Sequence, residues 1–174
     1  DGSTEDHVDN VLRTYAQNDP RYRYKKLDTN QGIVSASNEA LQMATGDYIV
    51  LMDHDDTLEK DALLQITRYL QDNNDVDIIY TDNDKIDVND NYLTSQLKPD
   101  WSPELLYSYC YVVHLKIFSK RIVQETGLFR KGFDGAQDYD YFLRAAENSR
   151  KIAHIPLVLY HWREVAGQRS SADE

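Results

Sequence analysis

Apolar residues recur along this chain with helical spacing in some segments and as short continuous runs in others, so the pattern predicts helices that alternate with strands. Helices are expected at residues 4–15, in 28–46 after a glycine-containing loop, at 61–70, within 98–109 and at 136–149. Strands are expected at residues 21–27, 48–52, 76–82, 112–118, 151–156 and 157–162. Alternation of this kind favours an α/β sandwich around a mostly parallel central sheet.

Acidic residues directly follow two of these predicted strands. The run 48–52 is apolar or aromatic throughout, which predicts a strand buried on both faces, and it leads straight into the sequence DHDD at 53–56. The next strand, 76–82, ends at Asp82. Ligands of such sheets bind beyond the carboxyl ends of the strands, and carboxylates gathered there suit a hard divalent cation. The simpler interpretation is an exposed acidic turn that caps the following helix.

Composition narrows the choice of partners. The formal net charge of −11 disfavours broad contact with nucleic acid or anionic lipid. The single cysteine, Cys110, excludes an internal disulfide and suits a reducing compartment. No run of apolar residues approaches the length that a helix needs to cross a bilayer.

The acidic segment also fits a second chemistry. The string VLMDHDDTL satisfies the strand-then-D-x-D-x-T template of haloacid-dehalogenase-type phosphatases. In that case Asp53 would be the nucleophile, Asp55 the acid/base and Thr57 a phosphate contact. That family expects the motif at its first strand, whereas here a strand and two helices come before it.

Two further segments carry candidate chemistry. Asp138 follows a glycine-rich loop at the start of a predicted helix, so its carboxylate is either a general base for an acceptor hydroxyl or, with Asp140, a helix cap. Near the C-terminus His161 offers a metal ligand, and Arg163 and Arg169 offer forked donors for a diphosphate. Aromatic residues such as Trp101 offer stacking surfaces for a sugar ring.

Taken in order, these pieces resemble the GT-A-fold glycosyltransferases of the inverting family 2. DGSTED resembles the end of the family's D-D-G-S-x-D signature, and NQGIVSASNEALQMATGDYIVLMDHDD resembles its N-x-G to D-x-D block. GAQDYDYFLR resembles the segment that holds the catalytic base. YTDNDKID, KPDWSPELL and YHWR are typical of the subgroup that builds bacterial polysaccharides, including rhamnosyltransferase-like proteins.

The resemblance implies roles for individual residues. The nucleotide-sugar contacts would be Asp1, which recognises the base, with Gly2, Ser3, Asn30, Gly32, Asn38, Asp53 and Arg163. The metal, Mn²⁺ or Mg²⁺, would be held by Asp53, Asp55 and His161, with Asp56 assisting; which of the three acids touches it stays open. Asp138 would be the catalytic base, and Trp101 and Gln137 would face the acceptor. Ser37 stands where many relatives have an arginine that contacts the diphosphate.

The resemblance also implies the overall organisation and partners. We expect one catalytic domain over residues 1–174, with a nucleotide- and metal-binding half at 1–98 and an acceptor half at 99–174. The family's first strand is missing, so we expect a fragment of a longer chain. The donor would be a UDP- or dTDP-sugar, and the acceptor a saccharide, a lipid-linked saccharide or a glycoprotein. The expected location is cytoplasmic, at the inner membrane face through parts outside this chain. A non-catalytic carbohydrate-binding or scaffold module of the same fold is the remaining alternative.

Overall fold

The computed structural model describes residues 2–165 of the 174-residue chain. The helices are α1 Asp6–Asn18, α2 Gly32–Met43, α3 Ala62–Asp72, α4 Pro103–Ser108, α5 Lys120–Thr126 and α6 Gln137–Asn148. The strands are β1 Tyr48–Leu51, β2 Thr57–Leu58, β3 Ile78–Ile86, β4 Tyr92–Gln96, β5 Lys116–Ser119 and β6 Ile152–Arg163. Among these helices, none is both long and apolar enough to cross a membrane.

The described residues divide into two compact units. One contains the chain up to Thr45 together with Leu128–Tyr141, and the other contains Gly46–Gly127 together with the described residues from Phe142 onward. In the first unit, α2 buries Val34 and Leu41, whereas α1 buries none of its residues. The expected halves, residues 1–98 for nucleotide and metal binding and residues 99–174 for the acceptor, were defined by function and stay a prediction.

All six strands lie in the second unit and form one sheet. Its order is β1-β5-β3-β6-β2, and β4 pairs with β3 beside this path. The expected α/β class is confirmed, but the expectation of a mostly parallel sheet is wrong in detail. Only the β3–β6 pair is parallel among the described strands, because β5 lies between β1 and β3 and runs opposite to both. A tight hairpin at residues 87–91 likewise makes β4 antiparallel to β3.

The long parallel pair of β3 and β6 forms the centre of the sheet, and its register is irregular. Thr81 lies opposite Ile155 while Asp82 lies opposite Val158, so Pro156 and Leu157 bulge out of β6. A second shift follows at once, since Asn83 lies opposite Tyr160. The core packs against this pair and α3, and its buried members are Ala62, Ile66, Val76, Ile79, Leu115, Ile117, Ala153, Ile155, Leu159 and Tyr160.

Several predicted elements need correction. Residues 21–27 form no strand, because they pair with none of the described strands of the sheet. The two strands predicted at 151–156 and 157–162 are one continuous strand, bent by the bulge at Pro156. β1 is only half-buried along its length, not buried on both faces. Helix α5 was missed, although Ser119 caps it by accepting a hydrogen bond from the Ile122 N–H at 3.3 Å.

Candidate metal and substrate sites

The turn after β1 brings two acids and a histidine together in the second unit. Asp53, Asp56 and His114 each offer one ligand atom, and these atoms lie within 4.8 Å of one another. Asp53 is exposed, His114 is half-buried and Asp56 is buried. Carboxylates are ligands of Mg²⁺ and Mn²⁺, and imidazole is a common ligand of divalent transition metals. The residues present therefore fit a divalent cation, and which metal they hold stays a prediction.

The Tyr160 hydroxyl group ties the two acids of this group together. It donates a hydrogen bond to Oδ2 of Asp56 and accepts one from the Asp53 backbone N–H at 3.2 Å. The other oxygen of Asp56 accepts the Arg163 N–H at 2.7 Å. Burial, with the Asp56 carboxylate beside it, raises the pKa of the Tyr160 phenol, so it stays a neutral donor. Asp56 is thereby held in one orientation by β6.

The His114 imidazole is oriented by two aromatic neighbours on β6. It stacks on the Tyr160 ring with centroids 4.6 Å apart and meets the Trp162 ring edge-on at 5.5 Å. Its Nε2 lies 3.8 Å from Oδ2 of Asp53. The sequence analysis missed this residue. The available signal was a lone histidine within the apolar run VVHLKIF, which predicted a strand and nothing more.

Asp55 and His161, the other predicted metal ligands, lie outside this group. The Asp55 carboxylate faces His54 at 3.9 Å, and its backbone carbonyl accepts the Arg163 Nε–H at 2.7 Å. His161 Nδ1 lies 2.7 Å from Oδ1 of Asp84, and its Nε2 lies 3.5 Å from a Glu59 oxygen. Asp56 and His114, not Asp55 and His161, lie beside Asp53, and the metal-ligand role of Asp55 and His161 stays a prediction.

Arg163 braces the acidic turn against the β3–β4 hairpin. Besides its bond to Asp55, the guanidinium donates to the Asp87 carbonyl at 2.8 Å and lies 2.7 Å from a carboxylate oxygen of Asp90. These contacts occupy donors that the sequence analysis assigned to a diphosphate, and that role stays a prediction. Arg169, the second arginine of that motif, lies outside the described residues.

Three of the predicted nucleotide contacts, Gly2, Asn30 and Gly32, lie close together in the first unit. Gly2 lies so close to the backbone of Thr29 and Asn30 that a Cβ built on it would be 2.4 Å from the Thr29 carbonyl carbon. Asn30 Oδ1 accepts the Gly32 N–H at 2.9 Å and so shapes the entry to α2. Ser3 is half-buried beside Gly2 in the chain, and Asp1 lies outside the described residues. Two segments far apart in sequence thus meet here.

Asn38, the last residue of the predicted nucleotide set, binds protein backbone instead. Its Oδ1 accepts the Phe129 N–H at 2.8 Å, and its Nδ2 donates to the Phe129 carbonyl at 3.0 Å. Both groups of its amide are therefore engaged in holding the segment that leads toward α6.

The predicted base and acceptor residues occupy two different elements. Asp138 is half-buried in the first turn of α6, and Gln137 at the start of that helix accepts the Gly135 N–H at 2.8 Å. In the second unit, Trp101 packs against the Phe142 ring with centroids 6.2 Å apart. The roles of all three stay predictions.

Comparison with known proteins identifies the family. Residues 1–133 match the family described as glycosyl transferase family 2. This chain belongs to glycosyl transferase family 2. The family 2 domain is 34% identical over 172 residues to the O-antigen biosynthesis protein RfbC of Myxococcus xanthus, and 33% identical over 172 residues to chondroitin synthase of Escherichia coli. The alignments cover 99% and 98% of this chain but only 13% and 24% of those proteins.

Solved structures show the same fold. The family 2 domain superposes over its whole length on 50% of S. aureus TarS 1–349 in complex with UDP-GlcNAc, with a TM-score of 0.78 at 16% identity. It also matches the mannosyltransferase PcManGT of Pyrobaculum calidifontis in complex with GDP-Man and Mn²⁺, covering 99% of this chain and 48% of that one, with a TM-score of 0.64 at 17% identity. The expected GT-A fold is confirmed, and family membership decides against the phosphatase interpretation of the D-x-D-x-T string.

Proposed function

We propose that this family 2 domain is the catalytic part of a metal-dependent, inverting glycosyltransferase that uses a nucleotide-diphosphate sugar and acts in bacterial surface polysaccharide synthesis. The observation that carries the proposal is the group of Asp53, Asp56 and His114 at the carboxyl end of β1. Relatives named for O-antigen biosynthesis and chondroitin synthesis support the polysaccharide role. Neighbouring structures that hold UDP-GlcNAc, or GDP-Man with Mn²⁺, support the donor class.

In the proposed reaction, the Asp138 carboxylate accepts the proton of an acceptor hydroxyl group. The hydroxyl oxygen forms a bond to the anomeric carbon of the donor as the bond from that carbon to the diphosphate oxygen breaks. The leaving group is the nucleoside diphosphate, and a single displacement inverts the anomeric configuration. A divalent cation at the Asp53 group would stabilise the negative charge on that leaving group. Tyr160 and Arg163 act by holding Asp56 in place.

Donor binding tests the first half of the proposal. Melting temperatures of the full-length protein are measured with UDP-, dTDP- and GDP-sugars, first with Mn²⁺ and then with EDTA. We expect one nucleotide class to raise the melting temperature only when metal is present. Asp56→Asn is expected to abolish this rise, whereas Asp72→Asn, an exposed acid at the end of α3, leaves it unchanged. No rise with any donor would refute the proposal and favour a non-catalytic module.

Transfer kinetics test the second half. Asp138→Asn is expected to lower kcat by about 10³-fold or more while the donor Kd stays within about twofold, because a general base acts on the acceptor and not on donor affinity. Asp134→Asn, in the exposed loop just before α6, is the matched control and keeps wild-type kcat. Equal loss of donor binding and turnover in Asp138→Asn would instead make Asp138 a structural residue.

A further inference from the structure

One side chain on α2 satisfies both backbone polar groups of a residue 91 positions away. The Asn38 amide accepts the Phe129 N–H and donates to the Phe129 carbonyl, at 2.8 and 3.0 Å. This is the pair of bonds that a neighbouring strand would make, here supplied by one side chain. A side-chain amide carries a donor and an acceptor next to each other, and in asparagine a single methylene group joins that amide to the backbone.

Phe129 and the next residue, Arg130, contact the first turns of α6. The Arg130 guanidinium bonds both carboxylate oxygens of Asp140, with its Nε 3.2 Å from Oδ2. The Phe129 ring stacks on the Tyr141 ring with centroids 4.3 Å apart. Asp140 and Tyr141 are both buried, so these are well-ordered attachment points. We call Asn38, Phe129, Arg130, Asp140 and Tyr141 the clasp.

The clasp matters because the loop that leads into this helix is exposed. Residues 130–136 before α6 are all exposed, and Gly135 has a φ of +87°, so the loop has few packing contacts to fix its path. First turns of helices fray readily because their N–H groups have no partner within the helix. Asp138 sits in this first turn, two residues before Asp140.

We propose that Asn38 and Arg130 are positioning residues that fix the first turn of α6 and thereby aim the Asp138 carboxylate. The proposal rests on the proposed function for the role of Asp138. It replaces the expected role of Asn38 as a nucleotide contact, and it assigns a role to Arg130, which no motif singled out. Asn38 acts on the acceptor side of the reaction, through Phe129 and Arg130, and not on the donor.

Amide hydrogen exchange tests the clasp independently of activity. In Asn38→Ala and Arg130→Lys, the amides of residues 140–144, which bond the carbonyls of 136–140, are expected to exchange about tenfold faster, as befits the loss of one or two hydrogen bonds. Gln42→Ala changes an exposed residue of the same helix α2 and is the matched control, with unchanged exchange. Unchanged exchange at 140–144 in both clasp variants would overturn the proposal. Arg130→Lys keeps the positive charge but loses the two-point contact of the guanidinium with Asp140. It therefore tests the clasp even if Asn38→Ala fails to fold.

Kinetics then separate positioning from donor contact. Asn38→Ala and Arg130→Lys are expected to lower kcat about tenfold with the donor KM unchanged within about twofold. In an Asp138→Asn background the same substitutions should cost nothing further, because they act through Asp138. A raised donor KM with unchanged kcat would restore Asn38 as a nucleotide contact and refute the proposal. Failure of the proposed function is recognised separately, by the lack of metal-dependent donor stabilisation in the wild-type protein.

Discussion

Asp77, immediately before β3, is the residue whose substitution we expect to cost the most stability. It is only 4% exposed, and its carboxylate receives four contacts from three segments of the second unit. Arg121 on α5 donates its Nε–H at 3.0 Å and approaches the second oxygen as well. The Arg150 N–H, just before β6, donates at 2.7 Å, and Ser119 Oγ lies at 3.4 Å. One carboxylate thus joins the ends of β3, β5 and β6.

The change Asp77→Asn keeps the shape and removes the charge. The new amide nitrogen would face donors on Arg121 or Arg150, so the variant loses an ion pair and creates a donor–donor clash. Loss of one partner from a buried pair of this kind costs about 3–5 kcal/mol. Because the unfolding free energy of a domain is about 5–15 kcal/mol, this loss is a fifth or more of the total.

Urea unfolding followed by circular dichroism measures this loss. The matched control is Asp75→Asn, two residues earlier, where a 67% exposed carboxylate pairs with Lys151 at 2.8 Å. Solvent screens an exposed pair, so Asp75→Asn should cost much less stability than Asp77→Asn. Equal losses in the two variants would show that burial does not decide the strength of the Asp77 contacts.

The pH dependence gives a second check on the same group. Burial would raise the pKa of Asp77, but the Arg121 guanidinium and the Arg150 N–H outweigh it and hold the pKa below the usual value of 3.8. The unfolded state therefore binds more protons in acid, and the contribution of Asp77 is complete above about pH 5 and is lost as the pH falls through the folded-state pKa. The Asp77→Asn variant should lack this part of the acid destabilisation.

Two further predictions concern Lys98 and Gly2. Burial lowers the pKa of Lys98 from 10.5 to about 7, so the unfolded chain binds more protons above pH 7 and the unfolding free energy should rise by about 2 kcal/mol between pH 7 and 9. Lys98→Met should flatten that rise in urea titrations at the two pH values, and parallel curves for variant and wild type would contradict the assignment. Gly2→Ala should lower the melting temperature by several degrees, because its Cβ would overlap the Thr29 backbone and its φ is +85°; an unchanged melting temperature would show that this segment moves freely.

The sequence predicted the helices and main strands well where apolar spacing was long and regular. α2, α3 and α6 and the strands β1 and β3 lie within a few residues of their predicted positions. The alternation of helices and strands did not predict strand direction. Alternation does not show which strands become neighbours in the sheet, and a strand from later in the chain can insert between two earlier ones in the opposite direction. β5 illustrates this, since its sequence KIFS does not indicate that it lies between β1 and β3 in the opposite direction.

The candidate site was predicted at the level of segments, not of individual ligands. Motif order pointed to the turn after β1, where the structure gathers Asp53, Asp56 and His114. Spacing within DHDD could not show that Asp56 bonds Tyr160 while Asp55 faces His54. His114 was missed because its approach to Asp53 depends on a pairing between distant strands. Asn38 was found by motif, yet its partner Phe129 is 91 residues away and became visible only in the fold.

The bulge at Pro156 and Leu157 makes the length of β6 part of the site. Removing these two residues would preserve the alternation of inward and outward side chains, so the core residues would keep their faces. It would nevertheless slide Tyr160 and Arg163 by two positions along β3 and away from the Asp56 carboxylate that both now bind. Among homologues, insertions and deletions in this strand should therefore be much rarer than substitutions, since a change of residue alters one contact and a change of length alters all of them.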